Sequence, residues 1–261
     1  MTGRTVTVVG ALVVGAVLSW GCRNAATENG AGGGATAAAT PWGEPDLTGV
    51  WQGEALGARA GQDTFNLAAL EASYTPSARA RMQKMSANDD PTLQCAPPPF
   101  PHAAKLGHRL QIVQNPGFAY VFTEAYPVAR IIPTTGRPHT SEEYRFPSHM
   151  GDSTARWEGD TLVVDVIAFN GEGWLASPLD KPTPASAGVW LTSPAMHIVE
   201  RWRRVNADTL EYRARIEDPD LLTMPWETPV VTLTRQPVDV IDEALCRPED
   251  GPETYLARLG S

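Results

Sequence analysis

One phrase occurs twice in this chain, and it constrains the fold more than any other feature. Arg156-Trp157-Glu158-Gly159-Asp160-Thr161-Leu162 returns in looser form as Arg204-Val205-Asn206-Ala207-Asp208-Thr209-Leu210. Each copy sets a turn signal, Glu-Gly-Asp or Asn-Ala-Asp, between runs rich in β-branched, aromatic and long side chains. That is how a tight β-hairpin is written in sequence. Two such hairpins make the C-terminal half an antiparallel sheet. Further strands are expected at 45–53, 109–114, 118–124, 128–132 and 227–235, with Asn115-Pro116-Gly117 as a turn. Residues 66–73 and 75–85 read as helical, with Thr75 as N-cap and Pro76 in the first turn. Short C-terminal helices are expected at 238–245 and 253–259. Leu210, Tyr212, Ala214 and Ile216 alternate with Glu211, Arg213, Arg215 and Glu217, so that strand has one inner and one solvent face. Roughly eight or nine strands, mostly joined to sequence neighbours, favour a mainly β fold closed as an antiparallel up-and-down barrel, because closure removes exposed edges. A β-sandwich is the rival.

The N-terminus carries an address. Residues 1–21 read as a signal peptide: Arg4 is a minimal positive region, and 5–20 is an apolar run too short for the ~20 residues of a bilayer-spanning helix. Leu18-Ser19-Trp20-Gly21-Cys22 resembles a bacterial lipobox, which makes Cys22 the lipidated new N-terminus; ordinary cleavage nearby is the alternative. Residues 22–44 are mostly small and polar, and such composition cannot offset chain entropy by packing, so a flexible linker is expected before a single β-rich domain at 45–261. The glycines at 30 and 32–34 follow no strand and make no nucleotide fingerprint. With Cys22 lipidated, Cys95 and Cys246 remain, either as one disulfide in an oxidising compartment or as two buried thiols. The formal charge of −9 becomes one unit more negative when Arg4 leaves with the leader. An acidic surface repels nucleic acid and anionic headgroups alike, so membrane association is expected through the lipid alone. The periplasm, at the outer membrane, is the expected location.

Candidate chemistry is sparse. Asp165 lies between Val163 and Ile167 on one face of an aliphatic strand, where a lone charge is costly unless paired or protonated. It reads either as a general acid or base with a raised pKa or as a structural partner of Arg201 or Arg203. His149, Asp152 and His197 form a second candidate set, able to shuttle a proton or bind a metal if the strands bring them together, and otherwise making local hydrogen bonds. Glu200 is a possible inward carboxylate, with a salt bridge as its alternative role. Trp174 and Trp190 sit in the long loop at 170–193, as a ligand lid or as simple packing, and Trp157 joins the candidate ligand-binding set. No Gly-x-Ser-x-Gly elbow, His-Glu-x-x-His, phosphate-binding Gly-Lys-Ser/Thr or Cys-x-x-Cys occurs, so the sequence calls for no cofactor and no metal.

The phrases Pro45-Asp46-Leu47-Thr48-Gly49-Val50-Trp51, Asp90-Pro91-Thr92-Leu93-Gln94-Cys95, Arg156 to Asp165, His197 to Trp202, and Asp218-Pro219 with Pro225-Trp226 resemble a group of uncharacterised exported bacterial proteins. Those relatives tend to carry Gly-His-Ser where this chain has Gly151-Asp152-Ser153, which leaves His149 as the nearby substitute. Gly49-Val50-Trp51 ahead of an antiparallel meander is similar to the lipocalin and calycin barrels. That likeness implies a cup for a small apolar ligand, with the tryptophan closing its base against a basic side chain. The leading expectation is therefore a lipid-anchored periplasmic barrel that binds a small, mostly apolar molecule in its interior. The second is an enzyme doing acid–base chemistry on a small molecule with Asp165, assisted by His149 or His197. The third is an envelope interaction module, which calls for a broad exposed apolar patch.

Overall fold

Alternation of apolar and polar side chains lays out a single sheet. The computed structural model describes residues 1–3, 38–53, 65–105, 107–126, 128–176, 189–242 and 246–247. The strands are β1 (Gly49–Gly53), β2 (Arg109–Asn115), β3 (Phe118–Thr123), β4 (Ala129–Pro133), β5 (Asp152–Glu158), β6 (Thr161–Ile167), β7 (Trp174–Ala176), β8 (Trp190–Leu191), β9 (His197–Arg204), β10 (Thr209–Glu217), β11 (Trp226–Glu227) and β12 (Val231–Arg235). Nine of them pair in the order β4-β3-β2-β1-β12-β10-β9-β6-β5, every pair antiparallel, with β11 added to β10. The order is that of a nearly closed barrel. Its two ends, β4 and β5, meet at a seam bridged by the Gly136 N–H to the Ala155 carbonyl (2.8 Å) and by Arg130 Nε to Ser153 Oγ (3.0 Å).

The repeated phrases are the β5–β6 and β9–β10 hairpins. The first closes in two residues, with Gly159 at φ 63° in a position where a side chain would be strained. The second has no glycine and uses a longer loop instead. There Asn206 Oδ1 accepts the Asp208 N–H at 2.9 Å and the Val205 N–H donates to Thr209.

The inner faces carry Trp51, Leu110, Ile112, Val121, Ile132, Val164, Ile198, Trp202, Leu210, Tyr212, Ile216 and Leu233, all buried. The segment before β2 inserts Phe100 between them. Its ring centroid lies 5.6 Å from that of Trp202 and 6.1 Å from that of Tyr212, and these two are 4.5 Å apart. Arg130 lies over Phe100 at 5.2 Å and places Nη1 2.9 Å from each oxygen of Glu200, which also accepts the Trp202 indole N–H at 3.0 Å. The middle of the barrel is thus occupied by aromatic rings and one buried ion pair. At one end Trp51 donates its indole N–H to the Leu47 carbonyl and is faced by Arg204 (5.4 Å) and Arg235 (5.7 Å). A Cβ on Gly49 would lie 2.9 Å from Arg235 Nη1, so glycine is what lets that arginine reach the ring.

Helices α1 (Leu67–Ser73) and α2 (Pro76–Met82) bury Leu67, Leu70, Ala78 and Met82, and Thr75 caps α2 by accepting the Ala78 N–H. Some boundaries differ from expectation. Residues 38–44, expected in the linker, form a turn tied to the domain: Ala39 bridges Pro45, and Thr40 is buried against Glu44. The strand expected at 45–53 begins at Gly49, and the one expected at 227–235 is split into β11 and β12. The described part of the expected helix at 238–245 is not helical; its backbone instead bonds the Gln111 side chain through Asp239 and Ile241. The expected helix at 253–259 and the region around Cys22 lie outside the described residues. Cys95 and Cys246 are joined in a disulfide, Cα–Cα 5.7 Å, across a sequence separation of 151.

Candidate acid–base site

Closing the barrel brings two carboxylates and two imidazoles together on its outer wall beside the seam. Asp152 starts β5, and Asp165 on β6 stands opposite Thr154 on one side and Val199 on the other. His197 starts β9 and faces Glu217 at the end of β10. Asp165 and His197 point away from the core, because Val166 and Ile198, the residues next to them in the chain, point into it. The missing member comes from the loop between β4 and β5. His139 places Nδ1 2.9 Å from Asp152 Oδ2 and Nε2 2.8 Å from Asp165 Oδ1. The other Asp165 oxygen is 3.0 Å from His197 Nε2. The result is a continuous array, Asp152–His139–Asp165–His197, with Glu217 4.0 Å beyond His197 Nδ1.

The loop is held in place by the same aspartate. Asp152 also accepts the Thr140 N–H and hydroxyl, each at 3.0 Å. Each ring nitrogen of His139 thus meets one carboxylate, so the ring is clamped between two acids. Burial acts to raise the Asp165 carboxyl, but the hydrogen bonds from His139 and His197, reinforced by their charges, outweigh it and hold the carboxyl below its ordinary range. The folded pKa is therefore lower than the unfolded one. Asp165 contributes stability above the unfolded value of about 3.9, and that contribution is lost as pH falls through the folded value.

Several expectations are corrected by this geometry. Asp165 is not buried among aliphatics but is about one-third exposed, its side-chain accessibility being 34%. Its partners are histidines, while Arg201 pairs with Glu158 and Arg203 with Glu211 and Asp160. Its carboxyl is lowered, not raised. The raised carboxyl is that of Asp218, where burial outweighs the hydrogen bonds from the Ser193 N–H and hydroxyl. His149 does not join the array; its Nε2 is 3.6 Å from Glu172, and its buried Nδ1 has no hydrogen-bond partner among the described residues. Glu200 faces inward, as the partner of Arg130. Trp174 and Trp190 are buried on the paired strands β7 and β8, which accords with their packing against the domain. Trp157 is half-buried against the core. His139 carried no sequence signal beyond its residue type, since a loop histidine 13 residues from Asp152 is in no local register with it.

Among the described residues no three of His, Cys, Asp and Glu are arranged to hold a metal ion. No protein-family model matches the chain, and no curated protein sequence does.

Proposed function

We propose that this protein is an exported acid–base catalyst for a small molecule, working on the outer wall of its barrel and not inside it. The observation that carries this reading is the Asp165 carboxylate bonded at one oxygen to His139 and at the other to His197. An Asp165 that accepts the His197 Nε2–H selects the tautomer whose lone pair is on Nδ1, on the side of Glu217 at 4.0 Å. His197 Nδ1 then takes a proton from the substrate. Asp165 stabilises the imidazolium that forms, and it is in turn held by His139 and Asp152. Phe100, Trp202, Tyr212 and the Arg130–Glu200 pair occupy the centre, where an apolar guest would have to sit.

The test is a panel of small carboxylates, ketones and esters, followed for solvent-deuterium incorporation and for hydrolysis. Turnover by the full chain is expected to fall about 10²-fold or more in Asp165→Asn and His197→Gln. Asp165→Asn should also flatten the dependence of stability on pH below about 4 while leaving the neutral fold intact. Unchanged turnover in both variants, or none in the unmodified chain, rejects the assignment.

Export and a Cys22 anchor are part of the same proposal. They are supported by the apolar run at 5–20 and by the Cys95–Cys246 disulfide, a bond typical of oxidising compartments. No helix among the described residues is long and apolar enough to cross a membrane. Cys22→Ser is expected to move the protein from the membrane pellet to the soluble periplasmic fraction, and a pellet that keeps the variant argues against the anchor.

A further inference from the structure

The acid–base array shares its side of the sheet with a groove of about 240 Å³ lined by Thr161, Arg201, Arg203, Glu211, Arg213 and Val230. In the ladders Arg201 stands opposite Val163 on β6 and opposite Arg213 on β10, so two guanidinium groups face each other across neighbouring strands. Like charges in that register weaken a sheet. Arg201 is offset by Glu158 at 2.9 Å, and Arg203 by Glu211 at 3.2 Å and Asp160 at 3.7 Å. Arg213 has no carboxylate within ion-pair distance among the described residues. The chain carries 30 acidic against 21 basic residues, so an exposed arginine left unneutralised opposite another is not a consequence of composition. Nor does packing require it, since Arg213 points to solvent.

We propose that this groove binds the anionic end, a carboxylate or phosphate, of the molecule on which His197 acts. The substrate class rests on the acid–base reading; the anion site stands on the groove itself. A guanidinium presents a planar fork of donors that matches both anions; Arg213 offers one with no carboxylate of its own among the described residues, and Arg201, bonded through Nη1 to Glu158, stands opposite it. His197 lies four residues before Arg201 on β9, about 13 Å along the strand, so a substrate that reaches both is extended along the wall and carries its charge away from the reacting atom.

The experiment is a titration of the full chain with inorganic phosphate at low ionic strength, followed by the arginine Nε–H resonances. A saturable shift is expected, weakened at least about tenfold in Arg213→Gln and unchanged in Arg79→Gln on α2, with melting temperature checked for each variant. Absence of a saturable shift, or equal affinity in Arg213→Gln, overturns the anion site. Vesicles of phosphatidylglycerol separate a free anion from a lipid headgroup: Arg213-dependent vesicle binding overturns the small-molecule assignment, and its absence supports it. Turnover that depends on Asp165 without phosphate binding removes the groove alone. Phosphate binding that depends on Arg213, with turnover indifferent to Asp165, removes the acid–base reading and leaves the anion site.

Discussion

Arg130→Met, with Glu200 left in place, is expected to destabilise the protein by about 3–5 kcal/mol, read from the midpoint of denaturant unfolding. Both side chains are almost wholly inaccessible, at 3% and 1%. Removing the cation leaves the Glu200 carboxylate with only the Trp202 indole N–H as a partner among the described residues. The double change Arg130→Met/Glu200→Leu is expected to recover most of the loss, because it removes both desolvated charges and fills the space with apolar atoms. The cycle separates the cost of stranding a charge from the net worth of the pair. Among the described residues the buried Arg130 Nη2 and the nearby Tyr212 hydroxyl have no hydrogen-bond partner. A single-variant loss under about 1 kcal/mol would mean that water reaches Glu200 after all.

Cys95→Ala/Cys246→Ala is expected to remove up to about 5 kcal/mol, because the bond closes a loop of 151 residues and longer loops restrict the unfolded chain more. For a domain of this size that corresponds to a fall in melting temperature on the order of 10–20 °C. The bond ties the segment leading to the Phe100 plug to the tail that runs along β2 through Gln111, so its loss frees both from the barrel together. A fall of only about 1–2 °C would place the stability of the plug in its aromatic contacts alone.

Much of the architecture was legible because it is written locally. A two-residue turn with glycine in the left-handed region, and strands whose side chains alternate, fix hairpins and faces without reference to distant chain. Thr75 with Pro76 starts a helix for the same reason. The tail near Val238 carries a helical pattern, yet its backbone bonds Gln111, a residue more than a hundred positions away, and not its own turns. Asp165 stands out in the sequence by its aliphatic neighbours on β6, and of its two partners His197 is among the residues expected to assist it, whereas His139 is not. On the adjacent strand His197 and Arg201 flank Val199, the residue opposite Asp165, at equal distance, and Arg201 is taken by Glu158.

From its order of residues alone this chain determined the hairpins, the strand faces, the Gly-x-Trp opening and the cysteines available for bonding, since each depends on the residue and its immediate neighbours. Only the tertiary structure decided that His139, and not His149, reaches Asp165 and that Phe100 fills the centre. Those outcomes follow from where β4 meets β5 and from the path each loop takes over the wall. Such contacts join residues far apart in the chain, and no periodicity or spacing along it encodes them.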